Sequence, residues 1–428
     1  MPRECKDGWI RTYLEYTKPQ QSPTIFHTWT AISTIASAMR RRVWMDRSFY
    51  ILYPNLYVIL VSESGVGMKS TAIKIGTNNF LEKAVPDLTI MRGAITVKFL
   101  VDWMSQAIAK SADGTAEVTI FCEEFRVFAK GLYADSGIIE NLTKLYDCGV
   151  WEYGTGGSGI YKVEKPCINL LAASTPEWLT TGSAADFIGG GFSSRIVPVA
   201  IVVDEKQVAN PKKVPLSTDL EKKLIADLTA IGQLKGQFFV TKGAEDFFEQ
   251  WYIKRDKLKN PDQRMKGYYS KKHDQALKIA MILSASIDDD LVITEDHIES
   301  ALQLLGKIEL TMQYAFQGVA WGERAKYQDK VLAKIEEKGM IPHWVLLQCF
   351  HYCMTGNDLT AIIHTLTEEE KIGYDSIATT GRPKVVYLTE AYVREQIKKD
   401  GKQKVVDQFR ICFQKHPEWF EEKGGKGK

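Results

Sequence analysis

Leu56-Tyr57-Val58-Ile59-Leu60-Val61 is an unbroken apolar run, and Ser62-Glu63-Ser64-Gly65-Val66-Gly67-Met68-Lys69-Ser70-Thr71 follows it directly. A strand covered on both faces requires such a run, so residues 56–61 belong in the interior of a parallel sheet. The next residues, Ala72-Ile73-Lys74-Ile75, read as the start of a helix. Strand, small-residue loop and helix, in that order, is what phosphate binding needs. Small residues let backbone N–H groups approach phosphate oxygens, and the helix start adds positive potential. Lys69 is the residue to reach the β- and γ-phosphates and Ser70 the hydroxyl to hold Mg²⁺, with Ser64, Gly65, Val66, Gly67, Met68 and Thr71 around the phosphates. The consensus G-x-x-x-x-G-K-[ST] asks for glycine at its first position and directly before the lysine. Here Ser62 opens the loop, Met68 precedes Lys69, and the loop is one residue longer. Binding of a nucleotide therefore follows more directly than turnover. An ordinary strand-to-helix turn carrying a lysine is the alternative.

Three more apolar runs succeed the first: Val118–Cys122, Ile168–Ala173 and Arg195–Val203, the last containing Pro198, which suggests an edge or a bend. Helical segments separate them, so the stretch from 51 to 205 reads as an α/β core with a parallel sheet and crossover helices. The second run ends in Glu123-Glu124. Adjacent carboxylates at a strand end are the companion of a phosphate loop: one helps hold Mg²⁺ and the next polarises the attacking water. Glu123 is assigned to the metal and Glu124 to the water. A strand running into a solvated loop is the plainer explanation of the pair. The third run ends in Ser174-Thr175, hydroxyls suited to orient that water or touch the γ-phosphate. Gly189-Gly190-Gly191 precedes Arg195. An arginine offered to a γ-phosphate stabilises charge that grows in the transition state. If it serves a neighbouring subunit's nucleotide, the assembly is a ring or another head-to-tail oligomer.

Residues 1–50 read as an N-terminal helical segment, with Ser22-Pro23 as a start signal and Arg40-Arg41-Arg42 closing the helix where its dipole favours cations. Residues 206–320 turn mostly helical after Asn210-Pro211-Lys212-Lys213, as a helical lid. Residues 325–390 read as a winged helix. Its third helix carries Leu359, Ile362, Ile363 and Leu366 inward, and Thr379–Lys384 forms a hairpin tip. There Arg382 and Lys384 would meet DNA phosphates. A protein-interaction winged helix is the alternative, and Glu368-Glu369-Glu370 opposes DNA at the end of that helix. A C-terminal helix and a basic tail fill 391–428. Cys349 and Cys353, four apart on an apolar helix beside His343 and His351, read as packed thiols rather than zinc ligands.

Composition sets the outer bounds. The chain has 428 residues, enough for two to four domains. Lys and Arg number 55 against 53 Asp and Glu, a net charge of +2, which excludes a globally basic nucleic-acid binder but not a local basic patch. No apolar run is long enough to span a membrane, and the charged start Arg3-Glu4-Cys5-Lys6-Asp7 is not a secretory signal. Seven cysteines without repeated spacing point to free thiols and a reducing, cytoplasmic location.

Taken together, Tyr53–Thr71, Phe121–Phe125, Leu142–Cys148, Ala173–Pro176 and Gly189–Arg195 resemble the ATPase core of phage- and plasmid-encoded primase–helicases, similar in layout to AAA+ ATPases of the minichromosome-maintenance type. The resemblance implies a P-loop NTPase that takes ATP and Mg²⁺. It makes Ser174 or Thr175 the sensor and Arg195 an arginine finger, and it implies a hexameric ring translocating on DNA. It also points to Lys271 or Lys272 as a second basic sensor. No zinc-ribbon cysteine set or polymerase-type carboxylate triad is visible, so priming would fall to a separate chain. Two other functions fit the same residues: a non-motor replication initiator or regulator that uses nucleotide for assembly, and a nucleotide-binding ATPase without DNA contact.

Overall fold

The structure, a computed structural model, describes residues 3–93, 96–125, 137–155, 159–176, 191–201, 208–210, 217–254, 265–315, 323–352, 354–377 and 384–421. The chain forms two compact units, Met1–Gln317 and Gly318–Lys428.

In the first unit the strands are β1 (Val43–Asp46), β2 (Ile51–Leu52), β3 (Tyr57–Val61), β4 (Thr89–Arg92), β5 (Ala116–Cys122), β6 (Trp151–Thr155), β7 (Gly159–Val163), β8 (Pro166–Ser174), β9 (Ile196–Ala200), β10 (Gly236–Gln237), β11 (Phe239–Val240) and β12 (Val292–Ile293). Five of them make one all-parallel sheet in the order β4-β5-β8-β3-β9. The α/β class is as the apolar runs imply. Every residue of β3 is buried, because β8 and β9 flank it and helices cover both faces. Pro198 lies in β9, which is an edge of this sheet, so its missing N–H costs no ladder bond on the open side. β4 is a strand the sequence reading passed over: Thr-Ile-Met-Arg is too short and too polar at its ends to stand out. The β6–β7 hairpin was also unread. Its strands mix glycine, charge and aromatics, and the Trp151 and Tyr153 rings stack at 5.8 Å.

The N-terminal segment is only partly helical. Helix α1 (Trp9–Thr17) and helix α2 (Thr24–Met39) are followed by β1 and β2, a short antiparallel pair. α2 is buried from Thr30 through Met39. It is rich in Ala, Ser and Thr, so neighbouring elements approach it closely on all sides. Its expected cap differs: Pro23 sits at the N-cap without a side-chain cap, and the Ser22 hydroxyl donates instead to the Met68 carbonyl at 3.1 Å. Arg40 leaves the helix at φ 56 and its buried guanidinium donates to the exposed Asp87 at 2.8 Å, so it serves an ion pair rather than the helix dipole. Beyond the sheet lie helices 218–231, 242–254, 266–287 and 295–315.

The second unit has helices 323–338, 343–350 and 356–368 with an antiparallel sheet of β13 (Met340–Pro342), β14 (Gly373–Ile377) and β15 (Lys384–Leu388) in the order β13-β15-β14. Leu359, Ile362, Ile363 and Leu366 are buried on the inner side of 356–368, and Thr355 with Asp358 forms a capping box at its start. The C-terminal stretch holds more than the single helix expected. Helices 390–400, 402–408 and 410–415 enclose a separate core of Val393, Val405, Phe409, Cys412, Trp419 and Phe420.

Candidate functional site

The phosphate-loop segment stands where β3 hands over to a helix, Lys69–Lys74, which continues through a π-helical stretch, Ile75–Leu81. Gly65 (φ 78), Gly67 (φ 73) and Met68 (φ 47) are all left-handed, so the loop coils tightly. At Gly67 a side chain is excluded twice. Its φ disfavours one, and an added Cβ would sit 2.7 Å from both the Phe26 ring and the Ile201 side chain. Met68, the departure from consensus, takes up its strained backbone where a glycine would be relaxed, and Ser22 holds its carbonyl. Its side chain points outward, 42% exposed.

Lys69 turns back over the loop. Its Nζ donates to the Ser62 carbonyl (2.9 Å), the Ser62 hydroxyl (2.7 Å) and the Glu63 carbonyl (3.0 Å). Burial lowers its pKa from 10.5 to about 8, against the opposing pull of the Glu63 carboxylate. Glu63 itself accepts from the Tyr314 hydroxyl at 3.0 Å, so the last turns of helix 295–315 brace the loop. Nothing in the spacing of Glu63 and Tyr314 announced that contact.

Lys69, Ser70, Glu123, Glu124, Ser174 and Thr175 line one cavity of about 480 Å³ together with Ser64 and Gly65. Strand order explains the convergence. β8 lies between β3 and β5, so three neighbouring strands end at one edge and deliver the lysine loop, the hydroxyls and the carboxylates side by side. The two carboxylates differ. Glu123 pairs with Lys74 at 2.9 Å, a contact the sequence reading missed although Lys74 lies on the same helix as Lys69. Glu124 has no side-chain hydrogen bond or ion pair among the described residues and is exposed to the cavity. Ser174 is buried and its hydroxyl turns onto the Thr175 carbonyl at 3.1 Å, leaving Thr175 the more accessible of the two. Among the described residues no three His, Cys, Asp or Glu side chains gather to hold a metal alone. The donor set here, one hydroxyl and one or two carboxylates, suits a Mg²⁺ that completes its shell with water and phosphate oxygens.

Arg195 is elsewhere. The register pairs Tyr57 with Ile196 and Val61 with Ala200, so Arg195 precedes β9 at the amino edge of the sheet. At about 3.3 Å per residue that is roughly 17 Å from the loop edge. Its guanidinium donates to the Asp147 carboxylate at 2.8 Å and the Gly191 carbonyl at 3.0 Å. Gly189 and Gly190 lie outside the described residues. Lys271 is at this same edge. It shares a cavity of about 330 Å³ with Asn55, Asp147 and Asp274, so it does not reach the phosphate loop of its own chain. Lys272 pairs with Glu309 at 2.6 Å.

The amino edge also holds a residue that sequence reasoning missed. Lys278 is buried in helix 266–287, donating to the Asn55 carbonyl (3.0 Å) and side-chain oxygen (2.8 Å), with its ammonium 3.9 Å from the Tyr146 ring centre. Burial lowers its pKa from 10.5 to about 8. The unfolded chain therefore holds a proton that the folded chain releases between those values. The cost is full below about pH 8 and vanishes as the pH rises to 10.5. Denaturant titrations at pH 7.5, 8.5 and 9.5 should show wild type gaining stability relative to Lys278→Met, by on the order of 2 kcal/mol. Parallel lines for the two proteins would remove the buried charge from this account.

In the second unit Lys384 begins β15, exposed, its ammonium 5.4 Å from the centre of the Trp344 ring. Arg382 lies outside the described residues, as does Cys353. No known protein-family model matches the chain, and no curated protein matches it.

Proposed function

We propose that the chain is an ATP-hydrolysing motor acting on nucleic acid, a P-loop NTPase of AAA+-like layout. The observation that carries this reading is the single cavity at the carboxyl edge of β3, β8 and β5, where Lys69, Ser70, the carboxylates and Thr175 meet. ATP would lie with its phosphates along Ser64–Thr71. Ser70 and Glu123 would hold Mg²⁺, which neutralises phosphate charge. Lys69 would exchange its three bonds to the loop for phosphate oxygens. Glu124, uncommitted and solvated, would take the proton of the attacking water, and Thr175 would orient that water. Arg195 faces away from this cavity, which supports a head-to-tail assembly, a hexameric ring being the form proposed. The second unit, three helices with a three-stranded antiparallel sheet, is read as a winged helix whose Arg382 and Lys384 touch DNA phosphates.

The test is equilibrium binding of ATP and Mg²⁺ to full-length Lys69→Ala. Losing a charge-assisted contact costs about 1.5–3 kcal/mol, so affinity should fall ~10- to 150-fold, and DNA-stimulated hydrolysis should fall with it. Unchanged affinity would sink the reading.

A non-motor initiator or regulator, using nucleotide for assembly, is favoured by one feature. Ser22 clamps Met68 and Tyr314 clamps Glu63, so the loop is held from two sides in its present form. Tight nucleotide binding with no hydrolysis in the presence of DNA would select that reading. Nucleotide binding and hydrolysis unaffected by DNA or by removal of the second unit would instead select an ATPase without DNA contact.

A further inference from the structure

A cavity of about 820 Å³ in the first unit belongs to no part of the site above. It opens at the amino ends of β4, β5 and β8, the opposite end of the sheet from Lys69, and its volume falls within the ~300–1,000 Å³ usual for ligand pockets. Arg40, Arg41, Arg42, Lys110, Lys165 and Lys235 line it against three carboxylates, Asp87, Asp113 and Glu117, an excess of three positive charges. The carboxylates are spoken for. Asp87 and Glu117 take the Arg40 guanidinium, and Asp113 lies 3.9 Å from Lys235. Among the described residues the Arg41 guanidinium donates only to carbonyls, those of Cys148 (2.6 Å) and Pro166 (2.8 Å), and lies 4.1 Å from the Tyr53 ring centre, while the Arg41 backbone N–H goes to Glu117 (3.2 Å), so no carboxylate pairs with the guanidinium itself. Lys110 has no side-chain partner among the described residues. Arg40 is 5% exposed, yet its Nε–H finds no acceptor.

An aromatic completes the set. Trp44 stands on the outward face of β1 between buried Val43 and Met45, lines the cavity, and is half-buried. A recessed indole beside unneutralised cations matches an anion that carries a flat ring, because stacking and phosphate attraction then act on one molecule. We propose that this cavity binds a nucleoside phosphate, its base against Trp44 and its phosphates toward Lys110 and Lys235, the latter exchanging its loose 3.9 Å approach to Asp113 for a phosphate oxygen. The ligand is either a free nucleotide or one unit of a single strand. The proposal does not depend on the phosphate loop, and the test is arranged to keep the two apart.

All variants carry Lys69→Ala in the full-length chain, with folding checked by circular dichroism. The probes are ADP and a fluorescein-labelled oligothymidylate. Lys69→Ala should still bind a probe at one site per chain. Adding Lys110→Ala and Lys235→Ala should weaken that binding about tenfold, and Lys110→Arg with Lys235→Arg should restore it. For the oligonucleotide, the slope of log affinity against log salt should drop by ~1.4, at ~0.7 per lost phosphate contact. Trp44→Ala should weaken binding without changing that slope. Saturable ADP binding sensitive to the lysines identifies free nucleotide as the source, and a lysine-sensitive oligonucleotide without ADP binding identifies a strand. Failure of both probes to bind, or binding indifferent to Lys110 and Lys235, overturns the proposal.

Discussion

Alanine in place of Arg195 should leave ATP affinity close to wild type and lower turnover by at least ~10³-fold. The size comes from what an arginine adds to phosphoryl transfer. It meets charge that exists only in the transition state, so its removal spares ground-state binding. The selectivity comes from position. Arg195 lies at the amino edge of the sheet, about 17 Å from the loop that would hold its own chain's phosphates. A contact with the transferring phosphate must then come from an adjacent chain in a head-to-tail contact. Mixing experiments read this directly. Arg195→Ala and Lys69→Ala proteins should each be nearly inactive alone. A mixture should recover activity, because some interfaces join an intact loop to an intact arginine. In the isolated chain Asp147 holds the guanidinium at 2.8 Å. Asp147→Asn should therefore loosen Arg195 without removing it and change turnover far less than Arg195→Ala does. Full activity of Arg195→Ala, or no recovery in any mixture, would exclude the trans arrangement.

Glu124→Gln should also lower turnover steeply, about 10²- to 10⁴-fold with ATP still bound, the range expected when a general base is removed. The neighbouring carboxylate supplies the control. Glu123 is tied to Lys74 at 2.9 Å, and among the described residues Glu124 has no side-chain partner. Glu123→Gln should act mainly on the Mg²⁺ dependence, raising the concentration needed for half-maximal rate. Rapid-quench measurement of bound ATP separates the two. Glu124→Gln should accumulate unhydrolysed nucleotide, and Glu123→Gln should recover rate at high Mg²⁺. If the two substitutions give the same Mg²⁺ response, the division of labour between them fails.

Legibility followed burial. β3, β5, β8 and β9 could be read because a strand covered on both faces leaves a continuous apolar trace. β4 and the β6–β7 hairpin could not, since Thr89–Arg92 is four residues long and Trp151–Val163 mixes glycine and charge with its aromatics. Of the candidate site, Lys69, Ser70, Glu123, Glu124, Ser174 and Thr175 were nameable because each stands at a strand end or helix start. That they share a cavity depends on β8 lying between β3 and β5, which no local pattern specifies. Contacts between distant segments were invisible for the same reason: Ser22 with Met68, Glu63 with Tyr314, Arg195 with Asp147. Lys278 did leave a trace. It interrupts Ala276-Leu277-Lys278-Ile279-Ala280-Met281-Ile282, and a charge inside a helix apolar on all sides has nowhere to go but the interior.

The seating of β3 has a consequence for biosynthesis. Its two neighbours, β8 and β9, are encoded more than a hundred residues downstream. On the ribosome, Leu56–Val61 waits with both edges bare until codons for residues 166–200 have been translated and their product has cleared the exit tunnel. At ~5–20 residues per second that interval lasts several seconds at the least, long enough for holdases to engage the nascent chain. Messages truncated before about codon 200 should yield insoluble product, and expression trials should respond to elongation speed across that span.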